Sequence, residues 1–213
     1  MESDDEHPQL SSETLLALQE FYNEQAAKLS QKGGNGNFDV DEDWQLSQFW
    51  YDDKTSEILA MKTLNVTGPF GRIACISCPS VFKKLQNLKQ KEVTTHLLEY
   101  DRRFDVYTDN FIYYDFNKPL NLPKSMKENY DVVLADPPFL SKECLEKTSL
   151  TIQYLAKDKI ILCTGAVMED DARKLLDIQP CNFSPQHARN LGNEFKCFVN
   201  FDFDSIEITN GER

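Results

Sequence analysis

From residue 72 onward the chain alternates between two patterns. Short apolar runs, such as Tyr130-Asp131-Val132-Val133-Leu134-Ala135, read as strands buried on both faces of a sheet. Longer stretches place apolar residues three or four positions apart, as in Val81, Leu85 and Leu88, and read as amphipathic helices. The pattern predicts strands over 72–78, 94–99, 110–115, 130–135 and 159–163. Helices are predicted over 80–91, 101–107, 141–156 and 168–177. Two last strands, 181–187 and 195–203, are joined by the loop 188–194. Alternation of this kind builds a doubly wound α/β sheet, here mostly parallel, with the closing pair adding one antiparallel edge strand.

The start of the chain reads differently. Residues 1–43 form an acidic extension: a helix over 12–29, capped by Ser11 and Ser12, then a Gly- and Asn-rich linker over 31–37. The globular domain is expected over 44–204 and a loose tail over 205–213. A second helix is expected from Trp44 through Leu64, beginning with Trp44-Gln45-Leu46-Ser47-Gln48-Phe49-Trp50-Tyr51. So many rings in one stretch most often pack a core, yet they also suit a pocket wall with Ser47 and Gln48 as polar handles.

Composition narrows the partners. The 213 residues carry 23 basic and 35 acidic side chains, a net charge of −12. Nucleic-acid binders need the opposite balance, so a nucleic-acid partner is unlikely and a basic protein partner fits better. No apolar run is long enough to span a membrane and no secretory signal opens the chain. The six cysteines sit mostly in apolar runs, which points to buried thiols in a reducing cytoplasm. Cys75-Ile76-Ser77-Cys78 has CxxC spacing, but a zinc site needs a second ligand pair, and none is spaced for it. No metal is expected.

Strands two, three and four each run into an acid: Glu99, Asp115 and Asp136. All three should emerge at the carboxyl edge, where open α/β sheets bind ligands. Carboxylates there suit ribose hydroxyls or an adenine amino group, although acids also serve as helix caps, as Asp101 is expected to do. Pro137 ends the fourth strand and leaves Asp136 and Phe139 beside the edge.

Asp136-Pro137-Pro138-Phe139 resembles the (D/N)PP(Y/F) motif of amino-directed, S-adenosylmethionine-dependent methyltransferases. The resemblance implies a seven-stranded Rossmann-like methyltransferase sheet. It implies that Glu99 holds the cofactor ribose and that Asp115 and Phe116 hold its adenine. Over nearly the whole chain the sequence is similar to the elongation factor 1-alpha lysine methyltransferases, a group once labelled adenine-N6 DNA methyltransferases. The stretches that carry this include residues 44–51 and 136–141, Leu162-Cys163-Thr164-Gly165 and Arg189-Asn190-Leu191-Gly192-Asn193-Glu194-Phe195. One departure stands out. The loop after strand one, Ser77-Cys78-Pro79-Ser80, has no glycine, so Ser77, Pro79 and Ser80 must approach the cofactor differently.

Within this resemblance Asp136 and the Pro137 carbonyl accept from the target amine and Phe139 lies against it. Gln48 and Trp50 join the cofactor side. Arg189, Asn190 and Asn193 are substrate-side candidates, although Asn also favours turns. The motif alone does not separate lysine from adenine. A lysine must also lose a proton from a group of ordinary pKa about 10.4. Desolvation promotes that loss and the Asp136 charge opposes it. The expected activity is S-adenosylmethionine-dependent lysine methylation of elongation factor 1-alpha. The alternatives are an adenine-N6 methyltransferase and a non-enzymatic adaptor built on the same fold.

Overall fold

The computed structural model describes residues 40–88, 92–189 and 191–208. The expected helix over 12–29, its linker and the last five residues lie outside the described residues. The chain divides between Asp41 and Glu42, and the elements below belong to the unit that starts at Glu42.

The central strands are β1 (Arg72–Ile76) and β4 (Tyr130–Ala135). They pair in parallel from Ile73↔Val132 to Ile76↔Ala135, and all eight of these residues are buried. Burial on both faces is why these runs read as continuous apolar sequence rather than as alternation. Outward from β1 lie β2 (Thr94–Glu99) and the short β3 (Phe111–Tyr113). Beyond β4 lies β5 (Ala156–Gly165), then β7 (Phe195–Val199), which is antiparallel to it, and last β6 (Gln179–Pro180). The sheet has seven strands in the order β3-β2-β1-β4-β5-β7-β6. It is parallel but for β7 near one edge, as the alternation predicted.

Among the described residues four helices flank it: α1 (Asp53–Thr67), α2 (Pro79–Leu88), α3 (Lys142–Leu155) and α4 (Glu169–Leu176). Helix α2 opens on proline, which needs no N–H in the first turn, and buries Val81, Phe82 and Leu85. Helix α3 is capped by Ser141, whose hydroxyl accepts from the Cys144 amide at 3.2 Å. It buries Leu145, Ile152 and Leu155 in the core on one face of the sheet. Each such side chain contributes about 1.5–3 kcal/mol by leaving water.

Two expectations fail. The helix expected from Trp44 through Leu64 does not form as one piece. A 3-10 turn over Trp44–Leu46 ends at Ser47, whose φ of 53° is left-handed, and α1 starts only at Asp53. Asp52 decides the new start, since its carboxylate accepts from the Thr55 amide at 2.6 Å. The strand expected over 181–187 is also displaced. Gln179 and Pro180 pair with β7, Cys181 adds one bond to the Cys197 carbonyl at 3.0 Å, and the segment behind them turns away to meet the stretch before α1. There Asp52 donates to the Gln186 carbonyl at 2.9 Å, Ala188 to the Trp50 carbonyl at 2.8 Å, and Tyr51 bridges His187. The sequence marked 181–187 as a strand, but past Cys181 its partner is the Tyr51 segment rather than the sheet.

Candidate active site

The parallel ladder continues one residue past its strands at the carboxyl edge. Ser77 donates to the Leu98 carbonyl at 2.9 Å, Asp136 to that of Ile76 at 3.0 Å, and Tyr114 to that of Glu99 at 3.0 Å. Residues 77–80, 99–100, 114–117 and 136–140 are thereby brought to one place. They line a cavity of about 510 Å³, closed on its other sides by residues 45–50, His187, residues 191–193 and Phe195. That volume lies within the range of small-molecule sites.

Glu99 is buried at the end of β2, and both backbone amides that follow it bond to its Oε1, from Tyr100 at 3.0 Å and Asp101 at 3.2 Å. Burial pushes its carboxyl up to about 7, against the pull of those amides. Beside it Asp101 accepts from the Gln48 amide at 2.9 Å and pairs with Arg103 at 2.6 Å. Burial alone would raise the Asp101 carboxyl, but the Arg103 and Gln48 bonds outweigh it and hold it below the usual range. Gln48 also accepts from Arg103 at 2.9 Å, so this network ties the 45–50 segment to the end of β2.

Asp136 is half-buried at the cavity floor. Burial raises its carboxyl to about 7, the Tyr51 hydroxyl pulls it down, and the Glu99 charge raises it. Phe139 stands at the mouth, 42% exposed, edge-on to Phe116 at 5.7 Å. Three carboxylates line the cavity, and among its described lining residues there is no lysine or arginine. Two cations beside it are engaged: Arg103 with Asp101, and Lys147 with Asn117 at 2.8 Å and with Glu143. Among the described residues no group of His, Cys, Asp and Glu has the arrangement of a metal site.

A family model described as "Probable N6-adenine methyltransferase" matches residues 42–203. EEF1A lysine methyltransferase 1 of Gallus gallus is 52% identical over 206 residues, covering 94% of this chain and 97% of the relative. The protein of the same name in Homo sapiens is 49% identical over 203 residues, covering 93% and 94%. This chain belongs to the EEF1A lysine methyltransferase 1 family. A more distant relative is Protein-lysine N-methyltransferase M142.8 of Caenorhabditis elegans, at 41% identity over 94% of this chain and 97% of the relative. Among solved structures, the branched-chain polyamine synthase of Thermus thermophilus has a TM-score of 0.56. It covers 83% of this chain and 61% of that one at 8% identity, a likeness of fold alone.

Most residues that the sequence singled out meet at this cavity. Asp136, Pro137, Phe139, Glu99, Asp115, Phe116, Ser77, Pro79, Ser80, Gln48, Trp50 and Asn193 all line it. Arg189 does not. Its Nε pairs with Glu42 at 3.1 Å, which turns it to the first residues of the domain. Asn190 lies outside the described residues. The glycine-free loop resolves into a single device: Ser77 adopts φ 53°, the left-handed turn that glycine usually supplies. Two groups went unread. Arg103 stands two residues from Asp101 and was available as its partner. Tyr51 gave no signal beyond its aromatic neighbours, because its partner His187 lies 136 positions away.

Proposed function

We propose that this protein transfers methyl groups from S-adenosylmethionine to a lysine of translation elongation factor 1-alpha. The observation that carries the choice of a cationic acceptor is the charge of the cavity: three carboxylates line it, and no lysine or arginine is among its described lining residues. A nucleic-acid strand brings phosphates that need such cations. An ammonium does not. The names of the relatives support the same substrate.

The residues fit the cofactor. Glu99 offers a buried carboxylate to ribose hydroxyls, and Asp115 with Phe116 offers an acceptor and a ring to adenine. Pro79 and Ser80 at the start of α2 present backbone to the amino-acid end, with Gln48 and Trp50 closing over it. When bound, the cofactor supplies a methyl group activated by a positive sulfur. The protein's own task is to orient and prepare the amine. Asp136 and the Pro137 carbonyl accept from it, and Phe139 walls it from water. A carboxyl near 7 is partly ionised at neutral pH, so Asp136 can take a proton from the entering ammonium as well as align it.

All six cysteines are free, five of them buried, which supports a reducing compartment and hence the cytoplasm. Among the described residues no helix is long and apolar enough to cross a membrane. The test is mass spectrometry of elongation factor 1-alpha after incubation with this protein and cofactor. The expected result is methyl mass on one lysine. Methylated adenine in an oligonucleotide, with no lysine modified, would overturn the assignment.

A further inference from the structure

Residues 45–50 wall the cavity, yet they belong to no strand and to no helix beyond the short 3-10 turn Trp44–Leu46. Side chains fix this wall to the domain, and they centre on Gln48. Its side-chain amide is buried and engaged on three sides. The Oε1 accepts from the Asp43 amide at 3.0 Å and from the Arg103 guanidinium at 2.9 Å, and the Nε2 donates to Asp101 at 2.9 Å. Exchanging the oxygen and nitrogen of the amide would break all three bonds, so the network sets its orientation.

Arg103 holds both halves of this arrangement. Its Nε meets the two Asp101 oxygens at 3.1 and 2.8 Å, while a terminal nitrogen reaches Asp101 at 2.6 Å and Gln48 at 2.9 Å. A lone surface ion pair contributes little, but Asp101 is only 5% exposed and the guanidinium fork engages two partners. Phe104, next in sequence and buried, meets the Trp50 ring edge-on at 6.2 Å. Arg103 does not itself line the cavity.

We propose that Arg103 is a positioning residue for cofactor binding, and that it acts by latching Gln48, and with it the 45–50 wall, to the end of β2. Glu99 stands two residues before Asp101, and its Oε1 accepts from the Asp101 amide at 3.2 Å. The latch is thus anchored on the backbone that presents the carboxylate assigned to the ribose. Wall and carboxylate keep one spacing, so a ligand between them meets a preformed site and does not have to order it. Without Arg103 the Asp101 carboxylate is left buried and uncompensated, and Gln48 loses a donor that sets its amide.

This role rests on the S-adenosylmethionine reading of the site, but one arm of its test does not need the cofactor. Hydrogen exchange of the free protein, read by mass spectrometry, follows the wall through the amides of Leu46, Gln48 and Trp50, each of which is bonded. Arg103→Met keeps the stem and removes every donor. Those amides should then exchange about tenfold faster or more, while β1 and β4 keep their protection. By calorimetry the Kd of S-adenosylmethionine should rise about tenfold or more. Gln48→Ala leaves the pair of Arg103 with Asp101 whole and should open the wall as far. In that background Arg103→Met should raise Kd little further. Unchanged exchange over residues 45–50 overturns the latch. Faster exchange with an unchanged Kd overturns its link to binding, and so does a full further loss in the Gln48→Ala background. Loss of protection that extends to β1 and β4 marks a merely structural ion pair and overturns the role as well. If the wild type binds no S-adenosylmethionine, the cofactor reading falls and the exchange arm still decides whether Arg103 holds the wall.

Discussion

Replacing Glu99 by glutamine tests the electrostatics of the site directly. The side chain is only 7% exposed, and burial raises its carboxyl from 4.5 to about 7. The sign follows from linkage. An acid whose folded pKa lies above its unfolded one binds its proton more tightly in the fold. Its favourable contribution is whole below about pH 4.5 and is lost as pH rises to about 7. The difference of about 2.5 pH units corresponds to about 3 kcal/mol at 1.36 kcal/mol each. Glutamine has nothing to ionise, and its carbonyl can keep the two amide donors that Oε1 now receives. Glu99→Gln should therefore match the wild type in urea unfolding at pH 4 and exceed it by about 3 kcal/mol at pH 8. Relief of the Glu99 charge on Asp136 acts in the same direction. The variant should also lose at least about tenfold in cofactor affinity, since the ribose loses a charged acceptor. In the wild type, cofactor binding should expel about half a proton at pH 7, read by calorimetry in two buffers of different ionisation enthalpy. A stability difference that stays constant from pH 4 to pH 8 would refute the buried, raised carboxyl.

Asp136→Ala should leave cofactor Kd nearly unchanged and lower turnover by about a hundredfold or more, measured by single-turnover methyl transfer. Phe139→Ala removes a ring that is 42% exposed, so unfolding should shift by about 1 kcal/mol or less, while kcat/KM falls by about tenfold through lost positioning. At Ser77, φ 53° separates two substitutions. Glycine should match or exceed the wild-type melting temperature and keep cofactor binding. Valine, β-branched and ill-suited to the left-handed region, should cost about 2 kcal/mol or more and weaken binding.

The parallel half of the sheet was legible because double burial leaves an unambiguous apolar run. Residues 94–99 and 130–135 were bounded to the residue, and the acids that follow strands two to four fell where the runs end. What failed was decided by contacts distant in sequence. Nothing local in residues 44–64 announces that Ser47 turns left-handed or that Tyr51 pairs with His187. The 181–187 segment has the alternation of a strand, but alternation does not name its neighbour. The pairing of Arg189 with Glu42 was hidden for a similar reason, because Glu42 lies at the other end of the domain. The Ser77 turn was hidden by its residue type, since a left-handed serine carries no mark in sequence.

The two carboxyls near 7 bear on how one motif serves different amines. Burial raises both Glu99 and Asp136 to about 7, and the Glu99 charge adds to the rise at Asp136, so at neutral pH they carry less than two full charges. A cation entering the cavity draws out the missing ionisation, and its binding strengthens as the site responds. A polyanion does the reverse, suppressing the charge its own amine would need. The Asp136-Pro137-Pro138-Phe139 edge can hold either amine by the same two acceptors, so discrimination falls to the charge around it. On the proposed reaction the ammonium gives its proton to Asp136 before it attacks, and the positive charge that a bound cofactor would carry on sulfur would pass to the methylated amine. The cavity then holds one cation where two entered, beside an Asp136 that is already protonated, and this weakens the hold on the products by the same carboxyl that drew in the reactants.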